Sequence, residues 1–220
     1  MLQSDPKLGL PTSDRLPDSD GLPVDNELHT LVPNLLGFIL GFVWSQRLDW
    51  FFGVNMGIYH TTGINPRVPI VPDAFLSLGV ERIRDNRLRK SYVVWEEQDI
   101  VPRFVLEIVS QTPGGEYDEK LSAYAQLGVL YYAIYNPDFW QRDRQEAFEV
   151  YRLVNGRYQR QIGEPLWMPE IGLGIGRGIG IHRGLQREWL YWFDAQGNRI
   201  LTPEELLRRY QEQFGELPPQ

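Results

Sequence analysis

A strand–helix–strand unit between residues 103 and 136 is the feature that most constrains how this chain can fold. It begins and ends with runs of β-branched and aromatic residues, RFVLEIVS (103–110) and VLYYAIYN (129–136), which are typical of strands. The segment between them, EYDEKLSAYAQLG, has helix-forming residues, an apolar face and a closing glycine. Because strands connected by a helix usually pair in parallel, the unit predicts an α/β fold.

Further strands and a further helix are predicted before this unit. Three apolar runs predict strands at WFFGVNMGIYH (50–60), PIVPDAFLSL (69–78) and SYVVWEE (91–97). An apolar stripe with three- and four-residue steps predicts a helix near 25–46, which Pro33 should bend unless it marks the first turn. We therefore expect a mixed central sheet flanked by this helix and by a second helix near 115–127.

The C-terminal part predicts added β-hairpins and a last helix. After residue 146 apolar and polar residues alternate, and Asn155-Gly156 is a pair that favours a hairpin turn. The last helix is predicted over LTPEELLRRYQEQF, where Thr202 and Glu205 fit a capping box. The run GLGIGRGIGIHRG (172–184) leads into strand-like sequence and not into a helix, so it predicts close packing against aromatic side chains rather than a phosphate loop.

The composition of the chain predicts its domain boundaries and its location. Residues 1–23 are rich in Pro, Asp and Ser and predict a poorly ordered lead-in, followed by one domain over 24–195 and a helical tail over 196–220. The absence of cysteine excludes disulfides, thiolate zinc sites and a cysteine nucleophile, and it fits the cytoplasm. The longest apolar segment is too short to span a bilayer, so we expect no membrane partner.

Glu107 is a carboxylate inside an otherwise apolar strand, where an ionised group is costly unless it is paired or bound to a metal. Asp73 is a second acid flanked by apolar residues, on another strand of the predicted sheet. Two carboxylates on neighbouring strands repel unless a cation lies between them, and oxygen ligands suit Mg²⁺. Lys120, early on the next helix, could return to this site, orient a water and stabilise a phosphate. Taken singly, each residue is better explained as a solvated, capping or sheet-edge residue, since most charged residues are simply solvated.

The remaining charged and titratable residues give weaker signals. The histidines His29, His60 and His182 show no metal-ligand spacing, so a structural role is predicted for each. The net charge of -7 argues against nonspecific coating of nucleic acid, so DNA contacts must be local. The best candidate for such contacts is the run RIRDNRLRK, with Arg82, Arg84, Arg87, Arg89 and Lys90. A solvated loop is an equally good interpretation of that run.

The order of these motifs resembles a known family. The pair Pro72-Asp73 comes first and is followed by LEIVS. A lysine on the next helix, Lys120, comes after it, and then Tyr124, Gly128-Val129 and YYAIYNP. Over about residues 25 to 195 this order is similar to the Uma family, bacterial proteins grouped with restriction endonucleases in the PD-(D/E)xK nuclease superfamily. The resemblance implies a restriction-endonuclease-like fold and Mg²⁺-dependent hydrolysis of DNA, with Mn²⁺ as an alternative metal.

The same resemblance implies roles for individual residues. Asp73 and Glu107 would bind the metal together with the carbonyl of Ile108. The superfamily pattern places its lysine two residues after the glutamate, where this chain has Val109. The Uma family typically moves that lysine to the next helix, which matches Lys120. Glu27, at the start of the first helix, matches an acid that assists in such nucleases, although the helix dipole also favours an acid there.

Two other functions stay open at this point. A binding or structural module could keep the nuclease fold without cleaving, and the acidic net charge favours it. A hydrolase acting on RNA or nucleotides would use the same residues as a DNA endonuclease. The sequence is compatible with a homo-oligomer and specifies no recognised DNA sequence.

Overall fold

A computed structural model gives the fold and describes residues 9–17, 26–83, 87–112 and 114–215. The α-helices in this part of the chain are α1 (Leu28–Val43), α2 (Glu119–Leu127), α3 (Trp140–Asp143) and α4 (Pro203–Phe214). The first strands are β1 (Trp50–Val54), β2 (Ile58–Tyr59), β3 (Ala74–Leu78), β4 (Tyr92–Val93), β5 (Phe104–Ile108) and β6 (Tyr131–Tyr135). They are followed by β7 (Phe148–Val154), β8 (Arg157–Arg160), β9 (Leu166–Met168), β10 (Leu173–His182) and β11 (Leu185–Phe193).

The chain forms two compact units, each made of two segments. The first unit runs to Pro33 and resumes over Leu48–Ile162, and the second contains Asn34–Arg47 and everything from Gly163 onward. Compact units of this kind need not be separate domains, so the predicted boundaries at residues 24 and 195 stay a prediction. None of the helices in the described ranges combines the length and hydrophobicity needed to cross a bilayer.

The first unit contains the predicted mixed sheet. Its strand order is β1-β3-β5-β6-β7-β8, and only the β5/β6 pair is parallel, as the strand–helix–strand pattern predicts. The β7/β8 hairpin turns at Asn155-Gly156, whose φ angles of 49° and 76° are both positive, as a type I′ turn requires. This hairpin extends the central sheet, and β2 and β4 form a separate short parallel pair.

Two predicted strands are shorter than the sequence patterns indicate. The 69–78 run becomes a strand only at Ala74, because Pro69 and Pro72 cannot donate to a ladder. The 91–97 run contributes only β4, whose partner β2 also has two residues, and the chain then enters a 3-10 turn at Val94–Glu96. Strand β5, which carries Glu107, therefore pairs with a short β3 on one side and with β6 on the other.

The core of the first unit surrounds β5 and β6. Every residue of these two strands is buried, which explains why both are continuous apolar runs. Tyr124 and Leu127 on α2 pack into the same cluster as Val105 and Tyr132. Helix α2 is therefore fixed against the two parallel strands, with its first turn above the ends of both.

Part of the predicted lead-in also packs in the first unit. Residues 9–17 include a 3-10 turn at Ser13–Arg15. The Trp95 indole N–H donates to the Pro11 carbonyl at 3.0 Å, and the Tyr59 hydroxyl donates to the Pro17 carbonyl at 2.8 Å. This stretch is ordered, and the remainder of the lead-in lies outside the described residues.

The second unit is built on the antiparallel sheet β9-β10-β11. The prediction of aromatic packing for the glycine-rich run is confirmed, because a Cβ at Gly178 would lie 3.2 Å from Tyr191 and one at Gly180 would clash with the Tyr191 hydroxyl. Thr202 and Glu205 form the predicted capping box at the start of α4. Pro33 lies inside α1 and not in its first turn.

Candidate active site

Asp73, directly before β3, lies beside Glu107 on β5. The antiparallel β3/β5 register pairs Phe75 with Val105 and Ala74 with Leu106, so the next position places Asp73 opposite Glu107. Directly opposed residues in an antiparallel pair point to the same face, with Cβ atoms about 5 Å apart. Only 8% of Asp73 and 1% of Glu107 is exposed. The two acids that the sequence singles out are therefore brought together where β5 ends and β3 begins.

Both carboxylate oxygens of Asp73 are hydrogen-bonded. The Oδ1 atom lies 2.8 Å from Nδ1 of His29, and the Ile108 N–H donates to Oδ2 at 2.7 Å. In an extended strand the carbonyl of a residue points to the same side as its N–H, so the Ile108 carbonyl also faces the Asp73 side of β5. Asp73 is thus fixed by α1 on one side and by the Glu107 strand on the other.

Helix α2 supplies both partners of Glu107. The Tyr124 hydroxyl donates to Oε1 at 2.6 Å, and the Lys120 ammonium donates to Oε2 at 2.9 Å. Residues four apart share one helix face, so a single helix can present both groups to one carboxylate. The prediction that Lys120 returns to the Glu107 site is confirmed.

Glu116 is a third buried acid near Lys120, and sequence reasoning missed it. Only 4% of the residue is exposed. Its Oε2 accepts the Gly114 N–H at 2.9 Å, and its Oε1 lies 3.5 Å from the Lys120 Nζ. The Lys120 ammonium therefore lies between the carboxylates of Glu107 and Glu116.

The ionisation of Glu107 reflects this crowded setting. Burial raises the pKa of Glu107 to about 7, and the charge on Asp73 adds to the rise while Lys120 and Tyr124 oppose it. Burial acts to lower the pKa of Lys120, but the charge and hydrogen bond of Glu107, with Glu116 and Asp73, outweigh it and raise that pKa. Lys120 is therefore charged at neutral pH, whereas Glu107 exchanges its proton near neutrality.

The buried Glu107 should cost the fold free energy at high pH. Its folded pKa of about 7 lies above the ordinary 4.5. The folded state therefore holds the proton more tightly, and stability falls as pH rises from 4.5 through 7. We expect the effect of Glu107→Gln on the free energy of unfolding to be about 2 to 3 kcal/mol more favourable at pH 8 than at pH 5, whatever the loss of the Lys120 and Tyr124 contacts costs at both. Urea unfolding at both pH values measures this difference, and an equal effect at both would contradict it.

The donor atoms of this site fit a divalent cation. The Lys120 ammonium contacts two buried carboxylates, on Glu107 and Glu116, and a third buried carboxylate, on Asp73, accepts the N–H of the residue after Glu107. Each ionised carboxylate oxygen can accept more than one bond, so the oxygens of Asp73 and Glu107 keep capacity for a metal. No three His, Asp or Glu side chains within the described ranges form a metal-binding cluster. A cation here would be held by two carboxylates, the Ile108 carbonyl and water, as Mg²⁺ prefers.

The first helix brings a different residue to the site than expected. Glu27 is exposed just before α1, and residues two apart on a helix do not share a face. His29, for which the sequence predicts only a structural role, is the residue that contacts Asp73. Of the other histidines, His60 lies 2.8 Å from the Thr62 hydroxyl and His182 packs edge-on against Trp189.

The arginine-rich run lies away from this site. It follows the last residue of β3, whereas Asp73 precedes the first, and five strand residues span about 17 Å. The Arg89 guanidinium lies 4.6 Å from the ring of Phe51, which pairs with Ser77 at that far end. Strand β3 therefore separates the run from Asp73, and the DNA contacts of the run stay a prediction.

Arg89 also forms a buried ion pair within the fold. Its guanidinium donates to both carboxylate oxygens of Glu97 at 2.8 and 2.9 Å, and only 5% of the side chain is exposed. Arg82 lies over the Trp50 ring at 5.4 Å, and Lys90 pairs with Asp14. Arg87 is exposed, and Arg84 lies outside the described residues. Replacing Arg89 would break a buried ion pair, so it cannot serve as a simple test of phosphate binding.

Comparison with known families gives a match over most of the chain. The model of the Uma2 family, described as "Putative restriction endonuclease", matches residues 22–182. No curated protein and no solved structure gives a significant match. The mixed sheet flanked by helices is consistent with a restriction-endonuclease-like fold. Asp73, Glu107 and Lys120 all lie within the matched segment.

Proposed function

Since the chain belongs to the Uma2 family, we propose that it is a metal-dependent endonuclease that hydrolyses phosphodiester bonds of DNA. The observation that carries the proposal is that Asp73 accepts the N–H of Ile108, the residue after Glu107, at 2.7 Å, while the Lys120 ammonium lies 2.9 Å from Glu107. Two buried acids and a nearby lysine match the residue types that hydrolysis of a phosphate diester requires.

Each residue of the site has a distinct proposed task. Asp73, Glu107 and the Ile108 carbonyl would hold Mg²⁺ or Mn²⁺, which when bound would polarise the scissile phosphate and lower the pKa of a water. Lys120 would orient the attacking water and stabilise the negative charge that develops on the phosphate oxygens. His29 and Tyr124 hold the two carboxylates in place through the contacts at 2.8 and 2.6 Å. Glu27, exposed before α1, has no defined task in this arrangement.

Tyr124→Phe should weaken metal binding without unfolding the chain. The hydroxyl bond to Oε1 stabilises ionised Glu107 and lowers its pKa, so its loss raises the pKa of Glu107 further above about 7. We expect the Mg²⁺ affinity at pH 7 to fall about 10- to 100-fold, because partners of metal ligands have effects of this size. Calorimetry at pH 7 and 9 measures it. The deficit should shrink at pH 9, and the same deficit at both pH values would contradict the explanation.

A cleavage assay tests the proposed function. The wild-type chain is incubated with linear and circular double-stranded DNA, single-stranded DNA and RNA, each with Mg²⁺, Mn²⁺ or EDTA. We expect cleavage of DNA in either metal and none in EDTA. Cleavage of RNA alone would replace DNA with RNA as the substrate. Metal binding without cleavage of any substrate would favour the non-catalytic module.

A further inference from the structure

Glu116 is a buried carboxylate in the loop before α2, beside the site but outside the set of proposed metal ligands. Its Oε1 is 3.5 Å from the Lys120 Nζ, which is itself 2.9 Å from Glu107. We propose that Glu116 is a positioning residue, which keeps the Lys120 ammonium at the site when the charge of Glu107 is taken up by a cation. This inference rests on the proposed function and adds a second anchor for the lysine.

The need for a second anchor follows from how Lys120 is connected to the site. A lysine two residues after Glu107 would be placed by the strand itself, but Val109 there is 2% exposed and belongs to the core. Lys120 instead reaches Glu107 from a helix that follows a loop with Gly114 and Gly115. A long lysine side chain loses rotamer entropy when it is fixed, so a second charged partner helps to hold it in one position.

A cation bound by Glu107 would remove much of that contact. The attraction between Lys120 and Glu107 depends on the carboxylate charge, which a divalent ion neutralises. Lys120 has 29% of its side chain exposed, so it could move into solvent, whereas the Glu116 side chain is 5% exposed. Glu116 then supplies the remaining charge that retains the ammonium beside the reacting phosphate.

Glu116 is held firmly enough to act as an anchor. The Gly114 N–H donates to its Oε2 at 2.9 Å, and the Tyr132 hydroxyl donates to its backbone carbonyl at 2.8 Å. A Cβ at position 114 would lie 2.6 Å from the Glu116 Oε1 and 3.6 Å from the Lys120 Nζ, so the loop closes directly over the pair. The Lys120 N–H also donates to the Gly115 carbonyl at 2.9 Å, which ties this loop to the helix.

The lysine content of the chain permits a direct test without metal or DNA. The chain has three lysines, Lys7, Lys90 and Lys120, so ¹⁵N-lysine labelling followed by NMR gives few ammonium signals. Glu107→Gln imitates the loss of charge at Glu107. We expect the Lys120 signal to persist in Glu107→Gln and to be lost, through faster exchange with water, in Glu107→Gln/Glu116→Gln. Glu107→Gln/Glu119→Gln is the matched control and should keep the signal, because Glu119 is exposed.

Two results would overturn the inference. One is loss of the Lys120 signal in Glu107→Gln alone, and the other is its persistence in the Glu107→Gln/Glu116→Gln double variant. The glutamine oxygen can still accept the Gly114 N–H, and circular dichroism checks that the variants fold. If the glutamine variant fails to fold, Glu107→Gln/Glu116→Asp is used, since its shorter acid should accelerate ammonium exchange. Unchanged exchange there would overturn the inference.

Cleavage kinetics provide a second, independent test of the role of Glu116. With wild-type Glu107, Glu116→Gln should lower kcat for DNA cleavage about 10- to 100-fold, with KM for DNA within about twofold of wild type. Glu119→Gln should leave both unchanged, and a Glu116→Gln enzyme with wild-type kcat would overturn the inference. If the wild-type chain cleaves nothing, the proposed function fails, and the NMR comparison still decides whether Glu116 positions Lys120.

Discussion

Replacing Asp73 by asparagine is expected to reduce metal-dependent DNA cleavage about 1000-fold or more while leaving the chain folded. A metal that polarises a phosphate stabilises the transition state by several kcal/mol, and about 4 kcal/mol corresponds to a 1000-fold change in rate. Asparagine lacks the charge needed to hold the ion beside Glu107. Its amide oxygen can still accept the Ile108 N–H, which donates to Asp73 at 2.7 Å.

The control for this change is Asp14→Asn. Asp14 loses the same charge in the same unit, but its side chain is 67% exposed and pairs with the exposed Lys90. Exposed ion pairs of this kind contribute little, so cleavage and stability should stay at wild-type levels. Single-turnover cleavage rates with Mg²⁺ provide the measurement. A rate for Asp73→Asn within tenfold of wild type would contradict a metal-binding role for Asp73.

Lys120→Met is expected to reduce the cleavage rate about 100- to 1000-fold, the usual effect of removing one donor that stabilises transition-state charge. Methionine keeps an unbranched apolar chain but cannot donate to Glu107 or to a phosphate. Unlike Asp73→Asn, this change removes no metal ligand. The expected signature is therefore a large loss of rate with metal binding that depends on pH.

The pH dependence follows from the effect of Lys120 on Glu107. The ammonium lowers the pKa of Glu107, so its removal raises that pKa above about 7. At pH 7 a metal must then displace a proton and should bind more weakly, whereas at pH 9 it should bind at least as well as in wild type. Lys90→Met, at the exposed Asp14 pair, is the control. Equal loss of metal binding at pH 7 and 9 would show that Lys120 acts mainly on structure.

Local sequence patterns are sufficient to predict the frame of this site. The strand–helix–strand pattern predicts the parallel β5/β6 pair, which places α2 over the end of the Glu107 strand. Glu107 and Asp73 stand out because each is an acid among apolar residues. Lys120 then follows from its place early on the connecting helix, and its ammonium does contact Glu107.

The contacts that complete the site depend on packing between distant segments. His29, in the first turn of α1, meets Asp73 across 44 positions of the chain, and a single histidine at a helix start carries no such signal. Tyr124 could have been found from its four-residue spacing to Lys120 on one helix face. Glu116 depends on the path of the loop over Gly114, which the sequence does not specify. The place of the arginine run depends on the direction of β3, which carries the chain away from Asp73 before the run begins.

Binding of Mn²⁺ tests most directly whether Asp73 and Glu107 form a metal site. Electron paramagnetic resonance of titrated Mn²⁺ counts the bound ions. The number of ions and their affinity are compared at pH 8 in wild type, Asp73→Asn, Glu107→Gln and Asp14→Asn. We predict one ion per chain in wild type and Asp14→Asn, and at least tenfold weaker binding in the two site variants. Equal Mn²⁺ binding by all four proteins, or no binding by wild type, would contradict the proposed site.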